Sequence, residues 1–363
     1  MLVDVLFISF FMLTKELEYE LPEGCVAQSP TRQRDESRLF VYDRARDEVN
    51  HHFFHELPSL LPPQLSILRN DVSVLKARLY GQRPSGGKVE CLLLRPSSSS
   101  SLVWRCLIKP GAKTAKAKVF SLTGEYEAKV IDSLPSGEYL VQFNLPKDPN
   151  PHELAQRIGS LPLPHYVRRS ANKSDEERYQ TIYANPNHRS AAAAPTAGLH
   201  FTKEILEKLT EQGHRINELT LSVGVGTFRP IETERVEDHL MHAEEYILSP
   251  STKSVLRAPH SRRLAIGTTS VRAIEHYLSM PDENPQELTR SEARLFIQPP
   301  YSFQGVDHLL TNFHLPGSTL LCLVSAFLAP NETNGLDKLK QLYKEAISRR
   351  YRFYSYGDAM LIL

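Results

Sequence analysis

Apolar residues along this chain keep two different rhythms. From Asp71 to about Leu145 they fall into short β-rich runs: VSVLKARLYG, GKVECLLLRP, LVWRCLIKP, KAKVFS, YEAKVID and EYLVQFNLP. Turn sequences rich in Gly, Pro and Ser, such as PSGGK, PSSSSS and LPSGE, separate them. Short strands at regular spacing with no helix between them predict a small antiparallel barrel. On both sides of this region, strand-like runs alternate with helical ones. Arg263 to Met280 reads as strand, Gly-Thr-Thr-Ser loop and helix. Glu292 to Ser325 reads as a strand (ARLFIQPP), a loop (TNFHLPGST) and a very apolar helix (LLCLVSAFL). Leu336 to Arg350 has the spacing of an amphipathic helix, and Arg352 to Leu363 that of a turn and a buried strand. Such alternation predicts a sheet covered on both faces. The expected fold class is α/β, a large α/β sandwich domain with an inserted small antiparallel β-barrel domain. The boundaries are placed at residues 1–70 and 146–363 for the discontinuous α/β part and 71–145 for the barrel.

The two rhythms meet around Ala191 to Arg229. Here a small-residue loop carrying Pro195 and Gly198 leads into His200-Phe201-Thr202 and then a helix. Thr202 is placed as the N-cap, Glu204 in the first turn, Ile205, Leu206 and Leu209 as the apolar stripe, and Gly213 as the stop. A β-branched run then enters a second glycine-bearing turn, Gly224-Val225-Gly226-Thr227. Two polar loops therefore come to the edge of one sheet, where open α/β sheets usually keep their ligands.

A length of 363 residues allows two domains with sizeable cores. A formal net charge of +1 gives no overall positive field, so any nucleic-acid surface must be a local patch. Arg105, Lys109, Lys113, Lys116 and Lys118 form one candidate patch, with no acid between its members; Lys344, Arg349, Arg350 and Arg352 form another. The competing reading of the first is an edge strand and loop whose lysines discourage aggregation. Cys25, Cys91, Cys106 and Cys322 include no Cys-x-x-Cys pair, which argues against a zinc knuckle and fits a reducing cytoplasm. Met1 to Leu13 is apolar but shorter than the roughly 20 residues that span a bilayer, and it lacks a basic leader. It is expected to be an extra strand or ragged extension ahead of a start at Met12, with no membrane association.

Four constellations can carry chemistry. Gly267-Thr268-Thr269-Ser270, with Arg272 one turn on, joins a strand to a helix and suits an anionic or electron-rich group. It is neither a Walker loop nor a dinucleotide fingerprint. In His239-x-Met241-His242-x-Glu244, an extended chain puts His242, Glu244 and Tyr246 on one face. A histidine beside a carboxylate can hand on protons near neutral pH. The same residues could instead ligate a metal or form a solvated polar strand. Thr311-Asn312-Phe313-His314 precedes an apolar helix capped by Ser318 or Thr319, leaving Asn312 and His314 as polar loop groups. Asp358 either closes a turn or orients a substrate amine or a histidine.

The strings AAPTAGLHFT, LSVGVGTFRPI, EDHLMHAEEY, IGTTSVRAIE, LLTNFHLPGSTLLCLVSAF and YRFYSYGDAMLI closely resemble the S-adenosylmethionine:tRNA ribosyltransferase-isomerase family of queuosine biosynthesis. The resemblance runs in order from about Leu17 to Leu363. It implies transfer and isomerisation of the ribose of S-adenosylmethionine onto the aminomethyl group of a deazaguanine at the tRNA wobble position. Epoxyqueuosine-tRNA, adenine and methionine would be the products. It also implies a large α/β domain with an inserted barrel, no metal and no permanently bound cofactor, with S-adenosylmethionine as co-substrate. The expected partner is the anticodon stem-loop of tRNA, met by a monomer. The proton chemistry is assigned to His242 and Glu244, with His239, His314 and Asp358 as further candidates. Substrate binding is assigned to Thr196, Gly198, His200 and Phe201; to Gly224, Gly226, Thr227 and Arg229; to Gly267, Thr268, Thr269, Ser270 and Arg272; and to Asn312 and Ser318. Phe201, Phe228 and Phe313 are candidate stacking platforms for the wobble base, with core packing as the alternative. The segment Asn70-Asp71-Val72-Ser73-Val74 departs from the family's Asn-Asp-Thr-Arg-Val, Ser190 to Ala194 from its glycine-containing approach, and Pro300 from a common glycine. Two rival classes are a metal-dependent hydrolase using His239, His242 and Glu244, and a non-catalytic RNA-binding protein.

Overall fold

The computed structural model describes residues 11–97, 100–224, 230–281 and 284–363. The strands, in chain order, are β1 (Arg38–Asp43), β2 (Glu48–Phe53), β3 (Ser66–Asn70), β4 (Ser73–Val74), β5 (Arg78–Gln82), β6 (Lys88–Ser97), β7 (Ser100–Lys109), β8 (Val119–Leu122), β9 (Tyr126–Ser133), β10 (Tyr139–Asn144), β11 (Arg189–Ala191), β12 (Arg215–Leu221), β13 (Glu244–Leu248), β14 (Arg263–Ile266), β15 (Thr289–Ala293), β16 (His308–Asn312) and β17 (Ala359–Ile362). Among the described residues, nine of them form one mixed sheet in the order β15-β13-β12-β3-β14-β16-β17-β1-β2.

The run β12, β3, β14, β16 is parallel throughout. β17 then reverses against β16 and lies parallel to β1. That reversal sets Asn312 opposite Ala359, and Ala359 opposite Leu39. The loops that follow β14 and β16 and those that precede β17 and β1 therefore open at the same end of the sheet. Every residue of β14, β16 and β17 is buried, as expected for central strands covered on both faces.

Local signals in the chain place the flanking helices. Thr202 caps the helix Lys203–Glu211, its side chain accepting from the Ile205 N–H at 3.3 Å, and Ile205 and Leu209 face inward. The helix Thr319–Leu328 is buried along its whole length. The amphipathic helix Gly335–Ser348 packs against it through Leu336, Leu339, Leu342 and Tyr343. Gly335 makes this approach possible: a Cβ there would lie 1.9 Å from the Ser325 carbonyl oxygen.

The barrel closes on itself in the order β10-β7-β6-β5-β8-β9. Its interior is filled by alternate residues, Val89, Cys91 and Leu93 on β6, Trp104, Cys106 and Ile108 on β7, and Tyr126, Ala128 and Val130 on β9. Closure leaves no unpaired edge. The chain divides into two compact units. One comprises 71–195 and 220–225, and so holds the barrel, the helices Pro151–Ile158 and Lys173–Arg178, and the β4–β11 pair. It runs well past residue 145, where the sequence pattern placed the boundary. The other unit comprises the remainder.

Two elements differ from the sequence reading. ARLFIQPP is not a strand beyond its first residue: β15 ends at Ala293, and residues 294–300 leave the sheet. Pro299 and Pro300 have no N–H to give to a ladder. The strand that does precede the TNFHLPGST loop is β16, starting at His308. At the N-terminus, Met12 is buried, its N–H donating to Glu237 Oε1 at 2.8 Å. The strand expected before it lies outside the described residues.

Replacing Gly335 with Ala should cost about 1–3 kcal/mol, the usual range for overpacking. Urea unfolding checks this; an unchanged midpoint would contradict so close a contact.

Candidate active site

The shared sheet end of the larger unit gathers several of the polar residues singled out in the sequence. After the buried run of β16, Asn312 presents its side-chain amide there. Thr196, in the short turn Thr196–Gly198, donates its hydroxyl to Asn312 Oδ1 at 2.9 Å. Asn312 Nδ2 faces His200 Nε2 at 3.3 Å and the Asp358 carbonyl oxygen at 3.4 Å. His200 Nδ1 meets the Ser37 hydroxyl at 2.7 Å, and that hydroxyl is 3.3 Å from the Arg34 carbonyl oxygen. Ser37, His200 and Asn312 are buried, and Thr196 is half-buried. The donors fix the sense of the chain. An amide NH₂ can only donate, so His200 Nε2 accepts and Nδ1 carries the proton toward Ser37.

Asp358, just ahead of β17, closes the same end. Its carboxylate accepts from the backbone N–H groups of Arg38 at 3.1 Å and Arg352 at 2.8 Å. It also pairs with both guanidinium groups, at 3.4 Å and 3.1 Å. All its oxygens are occupied, which suits an anchor for the starts of β1 and β17 better than a proton carrier.

Gly267 turns the chain from β14 into the helix Thr268–Leu278. Its φ of +88° and ψ of 148° lie in a region only glycine adopts without strain. Its N–H donates to the Leu310 carbonyl of β16 at 2.7 Å, locking the two loops together. Ser270 spends its hydroxyl on the Ile266 carbonyl at 2.7 Å. Arg272, one turn on, is buried and bonded to the Glu244 carboxylate. The rest of its guanidinium serves the carbonyls of Leu295 (3.3 Å), Ala293 (3.2 Å) and His242 (3.5 Å). The helix start, the first residue of β13 and the loop carrying His242 are thus tied by one side chain. A buried pair of this kind is costly to break from one side.

His239 and His242 are half-buried on the approach to β13. His239 packs edge-on against Phe296, and burial together with His242 holds its pKa below the ordinary value. His314 is buried, with Nε2 against the Thr311 hydroxyl at 2.9 Å and its N–H on the Tyr343 hydroxyl at 3.0 Å. Burial pushes its pKa down to about 3, which favours the neutral imidazole. Ser318 gives its hydroxyl to the Leu315 carbonyl at 2.8 Å rather than capping the following helix.

Other expected groups fall elsewhere. Phe201 and Phe313 are core: Phe201 packs at right angles on Phe54 at 5.0 Å, and Phe313 stacks among Phe40, Tyr343 and Phe353. Neither offers a face for a base. Gly224 belongs to the barrel-bearing unit, and Gly226, Thr227, Phe228 and Arg229 lie outside the described residues. His239, His242 and Glu244 form no metal cage; among the described residues no three His, Cys, Asp or Glu side chains gather to hold an ion.

Sequence reasoning missed Ser37, whose partner His200 is 163 positions away. It also passed over Asp71, taken only as part of a departing motif. In the barrel-bearing unit the buried Asp71 carboxylate accepts from the Thr220 hydroxyl at 2.6 Å and lies 3.3 Å from both Asn185 Nδ2 and His188 Nδ1. Only the pairing of Asn with Asp ahead of the barrel hinted at it.

The family model described as "Queuosine biosynthesis protein" matches residues 14–362. The chain belongs to that family. It is 41% identical over 358 residues to the S-adenosylmethionine:tRNA ribosyltransferase-isomerase of Trichlorobacter lovleyi, covering 97% of this chain and all of the relative. It is 42% identical over 359 residues to the enzyme of the same name from Sulfurimonas denitrificans, covering 97% and 98%. A crystal structure of S-adenosylmethionine tRNA ribosyltransferase from Thermotoga maritima matches with a TM-score of 0.53 and 33% identity, covering 96% of this chain and 100% of that one. The family supports neither a metal-dependent hydrolase nor a purely RNA-binding role.

The buried histidines predict acid sensitivity. His314, held down to about 3, and His308, held down to about 4 by burial and Arg262, have an ordinary value of 6.5. Both stay neutral in the folded protein while the unfolded chain takes up protons. Stability is therefore intact above about pH 6.5 and falls as pH drops toward the folded values. Between pH 7 and pH 5 each can remove up to about 2 kcal/mol. His314→Asn should flatten the fall in urea midpoints between those two pH values; an unchanged slope would contradict the burial argument.

Proposed function

We propose that S-adenosylmethionine is bound and turned over at the sheet end built by Thr196, His200, Gly267 and Asn312. The protein is a transferase, an S-adenosylmethionine:tRNA ribosyltransferase-isomerase of queuosine biosynthesis. It moves and isomerises the ribosyl group of S-adenosylmethionine onto the aminomethyl group of 7-aminomethyl-7-deazaguanine at the tRNA wobble position. Epoxyqueuosine-tRNA, adenine and methionine leave. The observation that carries the placement is the closed hydrogen-bond chain Thr196–Asn312–His200–Ser37 at the mouth of β14 and β16.

The chemistry asks for few groups. The sulfonium acidifies the ribose 5′ carbon, so a base can start the reaction there. The attacking amine must be neutral, and departing adenine needs a proton or strong hydrogen bonds. In our reading His242 handles protons. Glu244 is committed to Arg272, and Arg272 also holds the His242 carbonyl. That makes the Glu244–Arg272 pair the support that positions His242. His239 lies beside it as a second imidazole.

The anticodon stem-loop is the part of the tRNA engaged, and the enzyme acts as a monomer in the cytoplasm. No described helix is long and apolar enough to cross a membrane. Lys109, Lys113, Lys116 and Lys118 are exposed on the barrel and make no ion pair among the described residues. They supply phosphate contacts. Arg105 and Arg349 are shared with Glu138 and Glu345, and Arg352 with Asp358, so these arginines contribute less.

Incubation with S-adenosylmethionine and tRNA carrying the deazaguanine precursor should release adenine; no release would overturn the assignment. His242→Gln should cut that release at least about 100-fold and alter its pH profile. Full turnover by this variant would remove His242 from the chemistry. Lys113→Gln together with Lys116→Gln should weaken tRNA binding and lower the salt slope by about 2, one per lost phosphate contact. An unchanged slope would place the tRNA elsewhere.

A further inference from the structure

We infer that the start of the helix Thr268–Leu278 is the seat of the α-carboxylate of S-adenosylmethionine, with the Thr269 hydroxyl as its side-chain donor. This rests on the reading that the co-substrate binds at this sheet end. The N–H groups of Thr268 and Thr269 open the helix, and no described acceptor takes them. Such first-turn amides, at the positive end of the helix dipole, favour an anion.

The side chain of Thr269 gives the independent observation. The residue is 7% exposed, and its Oγ1 is buried with no hydrogen-bond partner. An unsatisfied buried hydroxyl is expensive. Its helical neighbour Ser270 relieves the same cost by bonding back to the Ile266 carbonyl; Thr269 does not. The hydroxyl faces the N-terminal side of the helix instead. A Cβ built on Gly267 would lie 3.6 Å from Thr269 Oγ1 and 3.8 Å from the Ala197 Cβ. Gly267 is thus flanked by this hydroxyl on one side and by Ala197 of the Thr196–Gly198 turn on the other. Its positive φ disfavours any residue that carries a Cβ.

The character of the donors selects the anion. Arg272, the cation on this helix, is spent on Glu244 and three backbone carbonyls. Two amides and a neutral hydroxyl match a singly charged, planar carboxylate better than a phosphate, which attracts arginine or lysine side chains. S-adenosylmethionine carries one carboxylate, on the methionine end. Seating it here anchors the part of the molecule that later leaves as methionine.

Decarboxylated S-adenosylmethionine, which keeps the sulfonium, ribose and adenine, is the probe. The wild-type enzyme should use it about 10- to 100-fold less well than S-adenosylmethionine in kcat/KM for adenine release. Thr269→Val should lower kcat/KM for S-adenosylmethionine by about 10-fold while leaving the decarboxylated compound nearly unaffected, and Thr269→Ser should restore the preference. Calorimetric titration of both compounds into the enzyme with tRNA that lacks the deazaguanine precursor reads the same ratio without turnover. Equal loss toward both compounds, or a wild-type enzyme that does not discriminate, would overturn the inference while leaving the reaction assignment standing. Failure of adenine release with S-adenosylmethionine itself would instead strike the functional reading, and the titration would still decide the seat of the carboxylate.

Discussion

A side-chain amide buried where water does not reach must find a partner for both its ends, and Asn312 is that amide. Its oxygen takes the Thr196 hydroxyl and its nitrogen gives to His200 and the Asp358 carbonyl. Leaving any of these unmade would cost the full desolvation of a polar group. The loops after Pro195, after β16 and before β17 are therefore held in one arrangement by a single residue. The proton order that follows leaves His200 with its Nε2 accepting, so its ring is a strut between Asn312 and Ser37.

The sheet makes that convergence possible. Had β17 continued the parallel run of β12, β3, β14 and β16, its preceding loop would have opened at the far end. The reversal at β16–β17, kept by a parallel β17–β1 pair, brings Asp358 and Ser37 to the end where Gly267 and Asn312 already lie. Three ion pairs on two carboxylates carry the same geometry outward. Asp358 clasps Arg38 and Arg352, and Glu244 clasps Arg272. A site supported this way can present donors to a substrate without reorganising them, which is how electrostatic stabilisation is made efficient.

Features encoded over a few neighbouring residues were legible in the chain. The Thr202 cap, the Gly267 turn and the alternation that fills the barrel all rest on local rules, and each stands as the pattern implied. Four of the motif strings, those carrying Thr196 and His200, Gly267, Asn312 and Asp358, marked loops that meet at the sheet end. Partners remote in sequence were not legible. Nothing in the string around Ser37 points to His200, and nothing around Glu244 points to the Arg272 guanidinium that its carboxylate bonds. His314 has the sequence setting of a free loop imidazole, yet burial holds its pKa down to about 3 and its ring is bonded to Thr311. Apolar character alone misplaced a strand at ARLFIQPP, because burial of Ile297 in a loop leaves the same trace as burial in a ladder. In each case the deciding interaction is tertiary and leaves no period in the sequence.

The most direct measurement is a crystal structure with S-adenosylhomocysteine bound. The account predicts ligand density at the shared end of β14 and β16, within hydrogen-bond reach of the Gly267–Thr269 turn and beside Thr196 and Asn312. Density seated elsewhere, with that sheet end left to solvent, would contradict it.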